Sequence, residues 1–146
     1  MNPKITDWRG RRVWLVGASS GIGAALAQHL AGLGARLALT ARSADRLAGL
    51  DLGDAEVLIL PCDATDAAAL AAARDSLVAA WQGVDLVIYL AGDYVPMTAA
   101  SFDLAVAERV VAVNFGGAMR LAACVLGDLQ PGGGIAFVAS VAGYRG

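Results

Sequence analysis

The chain has 146 residues, 58% of them hydrophobic and 16% charged, with a net charge of -2; this composition excludes a disordered segment and fits one compact domain, residues 1–146. At this length roughly 68 to 70% of the unfolded chain's surface is buried on folding, so a core forms without disulfides or metal. Eleven basic against thirteen acidic residues give no global positive field for nucleic acid or anionic lipid, and a single histidine offers no metal site. A mean hydropathy of +0.60 and the uncharged run Val13 to Ala35 raise the possibility of a membrane span. Ser19, Ser20, Gln28 and His29, with Gly17, Gly21 and Gly23, fit a turn and a soluble helix better. The first ten residues carry Lys4, Asp7 and Arg9 and no apolar signal core, so a cytoplasmic location with no membrane partner is expected. Cys62 and Cys124 read as buried free thiols, because no Cys-x-x-Cys spacing supports a redox pair. The basic cluster Lys4, Arg9, Arg11 and Arg12 reads as a solvated flank.

Strand-like and helix-like periods alternate along the chain. Arg12 to Val16 is a short apolar strand, followed by a helix over Gly21 to Leu33, a strand over Arg36 to Thr40 and a helix over Ser43 to Leu50. A third strand, Glu56 to Leu60, leads to a helix over Asp66 to Trp81, then to a strand over Leu86 to Leu90. A long helical stretch from Ser101 to Leu129 precedes a fifth strand, Ile135 to Ala139. Ser43 and Thr65 stand at N-cap positions, Gly34 and Gly83 follow helix ends, and Pro131 with Gly132 to Gly134 punctuates before the last strand. Short Val, Leu and Ile runs between helices predict an α/β fold with a doubly wound parallel sheet, covered on both faces. In such a sheet the ligand crevice lies at the carboxyl ends of the strands.

After the first strand the chain reads Gly17-Ala18-Ser19-Ser20-Gly21-Ile22-Gly23 and enters a helix. Glycines allow close backbone approach, and a helix amino terminus presents unpaired N–H groups to a pyrophosphate. A nucleophilic serine mechanism finds no support, since the sole histidine, His29, falls inside this helix and no Gly-x-Ser-x-Gly elbow occurs. Trp8, Trp14 and Trp81 read as core or edge fillers, with no basic stripe beside them for nucleic acid.

The stretch Gly17 to Gly23 resembles the fingerprint of the short-chain dehydrogenase/reductase family, and later segments follow that family's order. Cys62-Asp63-Ala64-Thr65 resembles its Asp-containing turn after the third strand, Leu90-Ala91-Gly92 its Asn-Ala-Gly turn, Val113-Asn114 its helix-borne catalytic Asn, and Ser140-Val141-Ala142-Gly143 its catalytic Ser. The resemblance implies a Rossmann-like three-layer αβα domain, and an oxidoreductase that moves a hydride between a nicotinamide cofactor and a small carbonyl or alcohol. It assigns cofactor binding to Gly17, Ser19, Ser20, Gly21, Ile22, Gly23, Asp63, Ala64, Ala91 and Gly92, with Asp63 on the adenine amino group, and catalysis to Asn114 and Ser140. At the end of the second strand Thr40-Ala41-Arg42-Ser43 carries no carboxylate for a ribose 2′-OH. Arg42 offers a guanidinium fork and Ser43 a hydroxyl, which favours NADP over NAD.

The family's proton donor is a Tyr-x-x-x-Lys pair about a dozen residues beyond the Ser. Tyr144 is too close to Ser140 to match, Tyr89 and Tyr94 are followed at the fourth position by Asp93 and Thr98, and Lys4 is the only lysine. The expectation is therefore a cofactor-binding half, truncated before the sixth strand, whose fifth strand and long helical stretch leave apolar surface for a homo-oligomer partner. The alternative is a catalytically silent nucleotide-binding or interaction module. Val16 in place of Thr and Leu90 in place of Asn are departures expected to weaken sheet anchoring.

Overall fold

The structure is a computed structural model, and residues 5–141 are described. Five parallel strands, β1 (Arg12–Val16), β2 (Arg36–Thr40), β3 (Val57–Ile59), β4 (Val84–Tyr89) and β5 (Leu129–Phe137), form one sheet in the order β3-β2-β1-β4-β5. The order reverses beside β1, so the first strand lies centrally and the chain winds outward in both directions. Helices α1 (Gly21–Gly32), α2 (Ala44–Ala48), α3 (Ala67–Trp81), α4 (Leu104–Val111) and α5 (Ala118–Val125) complete the crossovers.

Side-chain alternation along the strands builds two cores. Val13 and Leu15 of β1, with Leu37 and Leu39 of β2 and Ile88 of β4, pack with Ala27 and Leu30 of α1 and Leu47 of α2. Trp14 and Val16, with Ala38, Val87 and Tyr89, pack instead with Leu70, Ala73, Leu77 and Trp81 of α3 and Leu121 and Val125 of α5. The result is the expected helix–sheet–helix sandwich. It explains why the strands read as continuous apolar runs, since each face of the pleat meets a helical layer. Trp14 is fully buried and donates its indole N–H to Thr40 Oγ1 at 2.9 Å, which satisfies the one buried polar side chain in that layer.

Several boundaries differ from those read in sequence. The third strand shortens to Val57–Ile59, and the fourth starts two residues earlier, at Val84. The cap of α3 is Asp66, not Thr65: Asp66 Oδ1 accepts from the N–H groups of Ala68 and Ala69 at 2.9 and 3.0 Å. A carboxylate capping two amides at the positive end of a helix outcompetes a hydroxyl one position earlier. Pro131 and Gly132 to Gly134 lie within β5 rather than before it, because β5 begins at Leu129 and its register on β4 jumps from Val84–Leu129 to Leu86–Gly134. The irregularity absorbs the proline at a sheet edge, where a missing N–H is tolerated. Leu90 in place of the family's Asn leaves the sheet anchored by backbone, its N–H donating to the Val16 carbonyl at 2.7 Å.

The long helical stretch is not one α-helix. A π turn, Ala112–Gly117, separates α4 from α5, and short 3₁₀ turns (Ala99–Ser101 and Leu126–Asp128) flank them. Leu104–Asp128 is the one stretch among the described residues long and apolar enough to cross a membrane by length and composition, yet Leu121 and Val125 are fully buried against the sheet. It leaves Leu104, Val111, Phe115, Met119 and Leu126 more than half exposed, as is Phe102 just ahead of it. β5 is a sheet edge among the described strands, with Phe137 and Val138 half exposed.

Candidate functional site

A cleft of about 790 Å³ opens at the carboxyl ends of the strands. It is lined from β1 and α1 by Gly17, Ser19, Ser20, Ile22 and Gly23, and from the β2 end by Arg42, Ser43 and Arg46. Asp63, Ala64 and Thr65 line it after β3, Ala91, Gly92 and Asp93 after β4, and Arg109 and Val113 from the α4 side. Eleven of the twelve residues singled out from sequence as cofactor contacts thus meet in one crevice. Gly21 heads α1 but is not part of the lining.

The floor is tight because two backbones approach closely. Gly17 has φ of +100°, and a Cβ there would run into the backbone nitrogen of Ala91; a Cβ on Gly23 would run into the carbonyl oxygen of Gly17. The turn is fixed to the neighbouring strand, since the N–H groups of Gly17 and Ala18 both donate to the Thr40 carbonyl, at 2.7 and 3.1 Å. The following amides are differently placed. Ser20 is the N-cap residue of α1, yet its side chain accepts no helix N–H, and the first turn carries no acidic residue. The caps of α2, α3 and α4, by contrast, are Ser43, Asp66 and Asp103, each accepting at least one amide. The α1 end therefore presents its orphan N–H groups and partial positive charge to the cleft, where an anion can take them.

At the β2 end, Arg42 and Arg46 make no ion pair or hydrogen bond from their side chains among the described residues. The surface pairing of Arg42 with Asp45 that would make it a bystander is not formed. Arg46 was missed in sequence. Its signal is the i, i+4 spacing from Arg42 across a turn capped by Ser43, whose Oγ accepts the Arg46 N–H at 3.3 Å. That bond uses an oxygen lone pair and leaves the Ser43 O–H able to donate.

Asp63 folds back on its own turn, its Oδ1 accepting the Thr65 N–H and O–H, both at 2.8 Å. These two bonds hold its carboxyl below its ordinary pKa, with the charge of Arg42 helping, and Oδ2 has no donor among the described residues. Cys62 beside it is half-buried rather than buried, and burial foremost, with the nearby Asp63 charge, pushes its thiol up to about 11. It is an inert thiol at neutral pH. Cys124 is likewise free and half-buried.

The two expected catalytic residues are placed differently. Asn114 lies in the π turn and does not line the cleft; its Oδ1 accepts the Asp93 N–H at 2.7 Å and its Nδ2 donates to the Asp93 carbonyl at 2.9 Å. Arg109 Nε donates to Asp93 Oδ2 at 2.8 Å, which holds that carboxyl below its ordinary range. Asp93 and Arg109 were not foreseen, and only the fold brings them together. Ser140 is exposed just beyond β5, outside the cleft lining. Ala142, Gly143, Tyr144 and Lys4 lie outside the described residues.

The phosphate-ready helix end, the glycine floor and the ordered turns after β3 and β4 occur in one doubly wound sheet, and residues 11–146 match the family model for short chain dehydrogenase. The chain belongs to the short-chain dehydrogenase family. Over 94% of its length it is 31% identical to Dehydrogenase/reductase SDR family member 7 of Mus musculus, of which it covers 46%. Among solved structures, a short-chain dehydrogenase/reductase from Brucella melitensis superimposes with a TM-score of 0.91 at 27% identity, over 97% of this chain and 62% of that one. A short chain dehydrogenase from Burkholderia cenocepacia in complex with NADP gives 0.85 at 26%, over 96% and 59%. The short-chain dehydrogenase chain described here spans about half the length of the curated relatives it matches.

The residues fit a dinucleotide. A cradle in which neither Gly17 nor Gly23 has room for a Cβ, an uncapped helix end and guanidinium groups without a partner among the described residues form a donor set for phosphates, and the cleft volume falls within the usual range for small-molecule sites.

Proposed function

We propose that the chain is the cofactor-binding half of an NADP(H)-dependent oxidoreductase acting on a small carbonyl or alcohol substrate. The observation that carries the reading is the α1 amino terminus, left without a side-chain cap and opening into the same cleft as two arginines that have no ion-pair partner among the described residues. Bound nicotinamide supplies the hydride chemistry, while the protein supplies position and polarity. In this reading the N–H groups at Ser19, Ser20, Gly21, Ile22 and Gly23 hold the pyrophosphate. Arg42, the Ser43 hydroxyl and Arg46 take the 2′-phosphate; Asp63 Oδ2 accepts from the adenine amino group beside Ala64. Ala91 and Gly92 form the surface under the nicotinamide, Asn114 fixes that surface from behind, and Ser140 polarises the substrate oxygen.

Residues 1–146 are, on this proposal, one incomplete dinucleotide-binding domain of a cytoplasmic protein, with the Tyr-x-x-x-Lys proton donor supplied by the remaining length typical of the family. The apolar outer face of α4 and α5 is proposed to be covered in a homo-oligomer. The relative solved with NADP supports the cofactor choice by likeness.

Fluorescence titration with NADPH, with NADH as comparator, at low and high salt tests the reading. Saturable binding that prefers NADPH and weakens with salt is expected, because a phosphate–guanidinium contact is screened. Preference for NADH overturns the assignment to Arg42 and Arg46; absence of binding to either favours a silent module.

A further inference from the structure

Tyr89 occupies an unusual place at the end of β4. It is buried, yet its hydroxyl leaves the core and donates to the Val113 carbonyl at 2.6 Å, inside the π turn. Its approach requires Gly117: a Cβ there would collide with the Tyr89 Oη and crowd the Ala64 carbonyl. A side-chain hydroxyl inserted into a helical ladder is one of the few established causes of a local break in α-helical register.

The break has a geometric consequence. Each residue advances an α-helix by about 100°, so one residue more in a single turn rotates everything before it by that amount relative to everything after it. Beyond the π turn, Leu121 and Val125 point into the core. Before it and within it, Arg109 and Asn114 reach sideways to Asp93, which they hold by three bonds to its N–H, its carbonyl and its carboxylate. A continuous α-helix could not present both sets of side chains in these directions.

We propose that Tyr89 is a positioning residue, whose hydroxyl, seated over Gly117, sets the π turn and thereby the reach of Asn114 and Arg109 onto Asp93 at the edge of the cleft. Its link to the cofactor rests on the function proposed above, because Ala91 and Gly92 immediately precede the clamped residue. Burial above all pushes the phenol up to about 12, so it stays a proton-bearing donor at neutral pH and does not serve as the reaction's acid or base.

Amide hydrogen exchange followed by NMR on the whole chain tests this without any cofactor. In Tyr89→Phe the Asp93 amide is expected to exchange at least fivefold faster, while the β1 and β2 amides of Leu15 and Leu37 stay within twofold of wild type. Gly117→Ala is expected to give the same local signature, and the double variant no more than the larger single effect, since both act through one contact. Unchanged Asp93 exchange in Tyr89→Phe overturns the proposal, as does equal acceleration of Asp93 and the core, which marks Tyr89 as mere filler. In parallel, Tyr89→Phe is expected to weaken NADPH binding about tenfold and leave 2′,5′-ADP binding within twofold; equal weakening of both counts against it. A wild-type chain that binds neither nucleotide defeats the cofactor reading alone, and the exchange result still decides the role of Tyr89.

Discussion

The two ends of the sheet use the same residue types to opposite effect. At the amino ends Arg12 is enclosed: its guanidinium meets both oxygens of Asp85 at 2.9 and 3.0 Å and the Trp81 carbonyl at 3.0 Å, and its backbone N–H meets Asp85 as well. Burial alone would raise the Asp85 carboxyl, but the bonds from Arg12 outweigh it and hold it below its ordinary value. At the carboxyl ends Arg42 and Arg46 have no such partner among the described residues, a helix begins uncapped, and glycines keep the floor free of side chains. Where charges are mutually satisfied the fold is being held; where donors are gathered and left open, the proposed function places the cofactor's phosphates.

The sharpest way to break this contrast is to fill the open end. Gly17→Ala places a Cβ against the Ala91 backbone at a φ of +100°, and is expected to destabilise the chain by about 3 kcal/mol and abolish NADPH binding, read by urea melts and titration. At the satisfied end, Asp85→Ala leaves the partly buried Arg12 guanidinium with the Trp81 carbonyl alone and its backbone amide without an acceptor, at a cost of about 2 kcal/mol, with cofactor affinity unchanged. The Asp85 pKa is lower in the folded chain than in the unfolded one, so its contribution is complete above the unfolded carboxylate value of about 3.9 and disappears as pH falls through the lower folded value. Urea midpoints measured from pH 5 down to 2 are expected to show a fall in the wild type that is smaller in Asp85→Asn.

Smaller effects sharpen the contrast. Arg42→Ala is expected to weaken NADPH about tenfold, roughly 1.4 kcal/mol, with NADH little changed; Arg46→Ala should follow in the same direction with a smaller loss. Ser20→Asp carries the finest distinction. A carboxylate at the α1 N-cap should raise stability by about 0.5 to 1 kcal/mol and simultaneously weaken dinucleotide binding, because it supplies from within the anion that the helix end otherwise takes from outside. Stability and affinity moving in the same direction would mean that the α1 end is not the phosphate site.

Much of this was written locally in the chain. The bounds of β1 and β2, the start of α1 and the role of Ser43 as a cap follow from short-range preferences, and the structure keeps them. The residues after strands β1 to β4 could be named as one crevice because a doubly wound parallel sheet leaves them no other place to converge. The Thr65 cap failed because Thr and Asp compete at adjacent positions, and the geometry of two amides decided for Asp66. The Pro-Gly-Gly-Gly segment read as a stop, but an edge strand tolerates it through a register shift.

Composition and periodicity determined the α/β sandwich, the glycine floor and the basic, carboxylate-free turn after β2, since these depend on what each residue can do with its near neighbours. Only the tertiary structure decided that Asp93 is clamped by Asn114 and Arg109, and that Tyr89 enters the π turn opposite Gly117. Those contacts all join residues sixteen or more positions apart. No local propensity encodes such contacts, which form only when packing on the sheet fixes the rotation of one helix against one strand.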